Sequence, residues 1–170
     1  ELSTSGVAAE ITNSTLTGGV NSKSRAGGDG LYISSDASAV VSGGTLTGGQ
    51  GNSGGKGVNV SGNVTLIGVT VTGGASTNST PGVGVYCVSP AKNVIITDCT
   101  VTGGSPAEGT TTNSAGRGME IYGPVTLTVE SSTIQGGNNN RTSGDPIGGN
   151  AIWFYNENSI GANITLTDTT

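Results

Sequence analysis

The sequence predicts an all-β solenoid, a chain wound into stacked coils of short strands, and three observations lead there. One phrase recurs five times, as Thr15-Leu-Thr-Gly-Gly19, Thr45-Leu-Thr-Gly-Gly49, Thr70-Val-Thr-Gly-Gly74, Thr100-Val-Thr-Gly-Gly104 and Thr133-Ile-Gln-Gly-Gly137, at intervals of 25 to 33 residues. A period of that size marks a repeat architecture in which each unit buries its apolar face against the next. Aligning on the phrase brings a second segment into register, with the alternation of a strand. Finally, 32 of 170 residues are glycine without the every-third spacing of collagen. Only 10% are charged against 32% hydrophobic, which separates the chain from disordered sequences.

The first strand of each coil follows a small residue, in Gly30-Leu-Tyr-Ile33, Gly57-Val-Asn-Val60, Gly84-Val-Tyr-Cys87, Gly118-Met-Glu-Ile121 and Ala151-Ile-Trp-Phe154. Alternation sends Leu31/Ile33, Val58/Val60, Val85/Cys87, Met119/Ile121 and Ile152/Phe154 inward, and Tyr32, Asn59, Tyr86, Glu120 and Trp153 outward. A second strand has inward pairs Ala39/Val41, Val64/Leu66, Val94/Ile96, Leu127/Val129 and Ile164/Leu166. A turn is expected at Asn13, Gly43, Gly68, Asp98, Ser131 and Asp168. The third strand is the repeated phrase itself, with Leu16, Leu46, Val71, Val101 and Ile134 inward and the threonines outward. The Gly-Gly pair then releases the chain into a loop of variable length, at a corner where glycine suits positive φ. Insertions such as Ala75 to Pro81 and Ser105 to Ser114 should therefore gather along one edge.

Three strands per coil give three parallel sheets around a narrow aliphatic core, in a single domain spanning residues 1–170. Five to six coils at the usual strand spacing make a rod roughly 25–30 Å long. On these segments the whole chain resembles the right-handed parallel β-helix, or pectin-lyase-like, superfamily, and most closely its repeat-containing bacterial surface proteins of the adhesin type. Members of that superfamily include polysaccharide lyases and hydrolases as well as plain stalks, so the resemblance implies a fold and leaves the chemistry to be argued from sites.

The ends read as uncapped. Residues 1–10 show no amphipathic helix to plug the first coil, and Thr170 falls inside the third strand of a new one. Open ends of a solenoid expose unpaired strand edges, so end-to-end self-association is the expected partnership. The start at Glu1, with neither methionine nor signal segment, reads as a processed product or an excised piece.

Charge narrows the partners. A net charge of −5 with six scattered basic residues makes no phosphate-binding stripe, so no nucleic-acid partner is expected. No apolar run is long enough for membrane insertion. Low charge, abundant Thr and Asn, and the absence of His point to an extracellular or cell-surface protein.

Four groups of residues stand out. Thr15, Thr17, Thr45, Thr47, Thr70, Thr72, Thr100 and Thr102 should form two outward files. They are similar to the threonine ranks of ice-binding proteins, although threonine is also simply a good exposed strand residue. Tyr32, Tyr86 and Trp153 project from the first strand with Tyr122 and Tyr155 just beyond. These five of only six aromatics suit sugar or protein binding, or pack beneath the loops. The column Asp29, Lys56, Val83, Arg117 and Asn150 precedes the first strands and, with Glu120, resembles a lyase or glycosidase cleft. Asp29–Lys56 reads more simply as a surface ion pair, and Asp29 and Glu120 lie three coils apart. That is about 14 Å by strand spacing, beyond the roughly 5–9.5 Å that glycosidase carboxylates span. Cys87 and Cys99 are either a structural disulfide or two buried thiols.

No metal or other cofactor is expected, since zinc needs more ligands than two cysteines supply and Gly54-Gly-Lys-Gly-Val-Asn-Val60 puts Asn where a calcium-binding carboxylate belongs. The sequons at Asn13, Asn59, Asn63, Asn78, Asn140 and Asn163 are what a chain rich in Asn, Ser and Thr yields by chance. The expected function is a non-enzymatic structural β-solenoid, a stalk or self-stacking filament block. The alternatives are an adhesive module binding a surface glycan or host protein through Tyr32, Tyr86, Glu120, Tyr122, Trp153 and Tyr155, then ice binding through the threonine files, then a polysaccharide lyase or hydrolase.

Overall fold

A computed structural model describes residues 8–88, 93–110, 114–139, 147–155 and 163–170. Residues 1–7 of the expected uncapped start, Asn140 and part of the loop ending at Ser114 lie outside the described residues. The described chain is an all-strand parallel β-solenoid of about four turns. The count falls below the expected five to six because only four coils carry every strand. The rung at Ala8–Thr17 has no described first-strand member, and the rung at Ile152–Thr167 is followed on the third-strand side by Thr170 alone.

First strands β2 (Leu31–Ile33), β4 (Val58–Val60), β7 (Val85–Val88), β10 (Met119–Tyr122) and β13 (Ile152–Tyr155) form one five-stranded parallel sheet. The expected second and third sheets prove to be a single sheet of nine strands, bent once. In β1 (Ala8–Thr17) and β3 (Ser38–Thr47) both segments run on as one strand. In later coils they separate into β5 (Asn63–Ile67) and β6 (Thr70–Thr72), β8 (Asn93–Thr97) and β9 (Thr100–Thr102), and β11 (Thr126–Glu130) and β12 (Thr133–Gln135). β14 (Asn163–Thr167) closes the series.

The physical reason for the merger is the size of the corner. All six expected turn residues adopt positive φ, from 47° at Asn13 to 66° at Gly43. One left-handed residue bends a strand with little loss of pairing, and Asn, Asp and Gly reach that region most readily. The ladder therefore continues through the bend: Gly68 N–H donates to Thr97 O at 2.9 Å, Asp98 N–H to Glu130 O at 3.1 Å and Ser131 N–H to Thr167 O at 3.0 Å.

Just past four of the six bends a short side chain bonds back across the corner. Ser14 Oγ, Cys99 Sγ, Ser132 Oγ and Thr169 Oγ1 each donate to the carbonyl two residues back. The same Cys99 and Ser132 atoms accept the N–H of Val69 and Cys99 from the rung before.

Every inward residue expected in the four complete coils is buried, from Leu31 to Ile134. The last described rung differs: Phe154 is 47%, Ile164 37% and Leu166 50% exposed, with no described rung beyond them.

The Gly-Gly pairs correct an expectation. Glycine there does not serve positive φ, since none of the five pairs adopts it. It serves close approach. The chain leaving the third strand (Gly19, Gly49, Gly74, Gly104, Gly137) meets the chain returning to the first strand (Gly28, Gly55, Gly82, Gly116, Gly149). Their peptides alternate up the axis in one hydrogen-bonded seam. Gly28 N–H donates to Gly19 O, Gly49 N–H to Gly28 O, Gly55 N–H to Gly49 O and Gly74 N–H to Gly55 O, each at 2.8–2.9 Å, and so on to Gly149. A Cβ on Gly49 or Gly74 would strike the carbonyl oxygen of the rung below. The insertions beyond this seam gather on one edge and pair with one another, through Gly51 with Ser76, Ser76 with Pro106 and Ser114 with Ile147.

Candidate functional site

Register places Tyr32, Asn59, Tyr86, Glu120 and Trp153 in one file on the outer face of the first-strand sheet. Two residues on, Val88, Tyr122 and Tyr155 form the neighbouring file. Side chains on successive rungs stand about 4.8 Å apart, close enough for rings to pack. The Tyr86 and Tyr122 centroids are 5.5 Å apart and those of Tyr122 and Tyr155 4.9 Å, both pairs tilted.

Tyr32 stays apart, because Asn59 occupies the rung between it and Tyr86. The structure thus brings together Tyr86, Glu120, Tyr122, Trp153 and Tyr155 of the expected set.

Arg117 ties this cluster together. It enters the rung three residues before Glu120, and its Nη1 lies 2.7 Å from Glu120 Oε1. Its guanidinium sits 4.4 Å from the Trp153 ring centre on the next rung. Lys56 covers Tyr86 in the same manner at 5.2 Å, each a cation on an aromatic face. The expected Asp29–Lys56 ion pair is not formed. Asp29 instead accepts the Lys56 backbone N–H at 2.9 Å and the Asn59 side-chain amide at 2.7 Å, which frees the Lys56 ammonium to turn to Tyr86. Asn59 Oδ1 is left buried without a partner among the described residues.

Glu120 is buried, although it sits on the outer face, because Arg117 and the tyrosines fold over it. The Tyr122 hydroxyl donates to its carboxylate, and that bond first, burial second and the Glu120 charge third push the Tyr122 phenol up to about 12. Tyr86 is also raised, by burial and then by Glu120. The sign follows from linkage: the unfolded phenol ionises near 10.0, so this contribution to stability is complete below that pH and is lost as pH climbs towards about 12. In Glu120→Gln, ultraviolet titration should show the Tyr122 transition moving down towards the ordinary tyrosine range. An unmoved transition would mean the carboxylate is not its cause.

The stacked loops border these side chains with a cleft of about 340 Å³, lined by Thr80, Val83, Arg117, Glu120, Ile147 and Asn150 among others. That is the lower end of the roughly 300–1,000 Å³ that small-molecule sites occupy. Its chemistry is one neutralised ion pair beside half-exposed rings, a surface suited to binding. Among the described residues no group of three or more His, Cys, Asp or Glu side chains stands ready to hold a metal. No helix among them is long and apolar enough to cross a membrane.

The threonine files form as expected. Thr15, Thr45, Thr70, Thr100 and Thr133 share one file, and Thr17, Thr47, Thr72, Thr102 and Gln135 the other. Thr170 continues the first file: its N–H donates to Ser132 O, and Ile134 N–H donates to Thr170 O.

Cys87 and Cys99 are both buried and free. Cys87 faces the core from the first strand, where burial pushes its thiol up to about 12. Cys99 is held in the corner between Thr97 O at 3.1 Å and Val69 N at 3.4 Å, and burial raises its thiol as well. The reactive species is the thiolate. A thiol-specific reagent should therefore label neither cysteine in the native protein and both in denaturant without reductant. Labelling that requires prior reduction would instead show a disulfide.

No protein-family model matches the chain, and neither a curated protein nor a solved structure matches it. The site rests on its own geometry. Arg117 is its least legible member in the sequence. It stands in the charged column before the first strands, and only its i, i+3 spacing to Glu120 hints that the two meet.

Proposed function

We propose that this chain is a non-enzymatic structural β-solenoid of an extracellular or cell-surface assembly, a length of stiff rod that extends along its axis by adding rungs of the same repeat. The observation that supports this is the unbroken inward register, in which each rung buries the apolar row of the rung before it. Phe154, Ile164 and Leu166 stand in register with Ile121, Leu127 and Val129, which the following rung buries. Burying side chains of this size is worth about 1.5–3 kcal/mol each before the cost of association. Inside the rod, what covers such a row is always another copy of the repeat. Electron microscopy of the protein from its native source should show filaments, or long rods of uniform width. Discrete short rods, with no axial growth at any concentration, would overturn the reading.

The first-strand cleft favours a second reading, an adhesive module for a surface glycan or host protein. Trp153, 38% exposed beside the Arg117–Glu120 pair, is the natural anchor. Truncating an anchor of this kind costs more than about 1 kcal/mol, close to tenfold in affinity. Trp153→Ala should therefore weaken glycan binding about tenfold while the circular dichroism spectrum stays the same. Undiminished binding would remove the aromatic face from the reading.

A further inference from the structure

The third-strand face differs from every other surface of the rod. Its outward positions from Thr15 to Gln135 are nine threonines and one glutamine, in register over five rungs and without a formal charge. The faces around it carry Glu10 and Glu130 on the second strands and the Arg117–Glu120 pair on the first.

Two spacings define the array. Neighbours along a file are separated by one rung, about 4.8 Å, and the two files by two residues of strand, about 6.6 Å. β-Branched threonine has a restricted χ1 on a strand, so hydroxyl and methyl repeat in the same sense from rung to rung.

A second observation concerns the hydroxyls. Several hydroxyls elsewhere are used internally, with Ser14, Ser132 and Thr169 capping corners and Ser76 and Thr77 tying loops. Outward second-strand threonines such as Thr65 and Thr128, however, have no described protein partner either. Thr15, Thr17, Thr45, Thr47, Thr70, Thr72, Thr100 and Thr102 donate to no described protein group. Their partner is whatever lies outside. In file one the sole cross-rung contact between hydroxyls is at the last rung, Thr133 to Thr170 at 3.2 Å.

We propose that the Thr-x-Thr face is a binding surface for ice, with hydroxyls and methyls holding a two-dimensional sheet of ordered water that merges with the crystal. Neutrality is the complementarity that selects such a partner, because a face without charge strips no tightly held hydration shell when it meets a neutral lattice. The two repeat distances are of the size of oxygen spacings in hexagonal ice. Each threonine contributes little, and the rigid array makes the contacts simultaneous. This inference is independent of axial growth and of the first-strand cleft, and a longer rod would lengthen the face.

The test is thermal hysteresis and ice-crystal shaping by the purified protein, with Thr72→Tyr and Thr102→Tyr in the middle of the array and Thr128→Tyr on the second-strand face as control. Circular dichroism verifies that each variant is folded. The wild type should facet growing ice and show hysteresis, both central variants should lose most of it, and Thr128→Tyr should keep it. Unfaceted growth with the wild type would overturn the proposal. Hysteresis indifferent to both central variants, or lost equally in the control, would do the same. So would adsorption to microcrystalline cellulose without any effect on ice, which would assign the face to a neutral polysaccharide.

Discussion

Gly74→Ala is expected to destabilise the protein by more than about 3 kcal/mol, the upper range of overpacking, because the added methyl group meets backbone. Gly74 lies where two glycine-bearing arms cross. Its N–H donates to Gly55 O and its carbonyl accepts Gly82 N–H, both at 2.8 Å. A Cβ would collide with Gly49 O and stand 2.8 Å from Gly48 O, and neither atom can turn aside as a side chain would. The conformation itself is not the obstacle, since φ at Gly74 is not positive. Relief would require spreading the seam, which breaks hydrogen bonds to the coils on both sides. Denaturant unfolding followed by circular dichroism measures the change. Gly109→Ala is the comparison: it lies in open space with φ of 75°, so its cost should be the smaller one of backbone strain. A Gly74→Ala midpoint equal to wild type would mean that the arms cross more loosely than described.

The second large effect is expected from Leu66→Ala, at about 2–5 kcal/mol for a fully buried leucine. Leu66 lies mid-rod, between Val41 on one rung and Ile96 on the next, so the cavity faces neighbours on both sides. Stability in a stacked repeat is nearly a sum of unit and interface terms. The loss should therefore appear as local opening around the second complete coil before the rest of the rod melts. Hydrogen exchange resolves this, with protection falling first over residues 58–72. Loss spread uniformly along the chain would mean that the coils melt as one unit.

Much of this fold is legible in the sequence, for identifiable reasons. Period-two alternation decides which side chains face inward, and Val64, Leu66, Val94 and Ile96 are buried as that rule requires. A single Asn, Asp or Gly between two strands reads as a bend, and Asn13, Gly68 and Asp98 adopt the left-handed conformation. The merger of two expected sheets is not legible, because it depends on whether pairing survives a one-residue bend. The glycine seam is hidden for another reason. Gly49 and Gly55 are close in sequence, but the spacing of the partner arms varies with the loop between them, and backbone-to-backbone contact leaves no side-chain pattern.

The candidate site divides the same way. Register puts Tyr86, Glu120 and Trp153 in one file, as alternation predicts. What alternation cannot supply is where long side chains go. Lys56 leaves Asp29 for the Tyr86 ring, and Arg117 reaches across a rung to Trp153. Cys87 lies in a strand and Cys99 in the bend after Asp98, and both thiols are free and buried.

The glycine seam also governs how the rod bears load. Hydrogen bonds of both sheets and of the seam join one coil to the next, so all of them run along the axis. Force applied to the two ends of the chain passes through every coil-to-coil interface in series, and coils peel away one at a time from the ends. The molecule then lengthens in successive steps of 25 to 33 residues, the repeat interval. Squeezed along its length, the same stack of backbone has no empty space to give up, because glycine has let it close to contact. A rod of this construction is stiff when pushed and yields by measured increments when pulled.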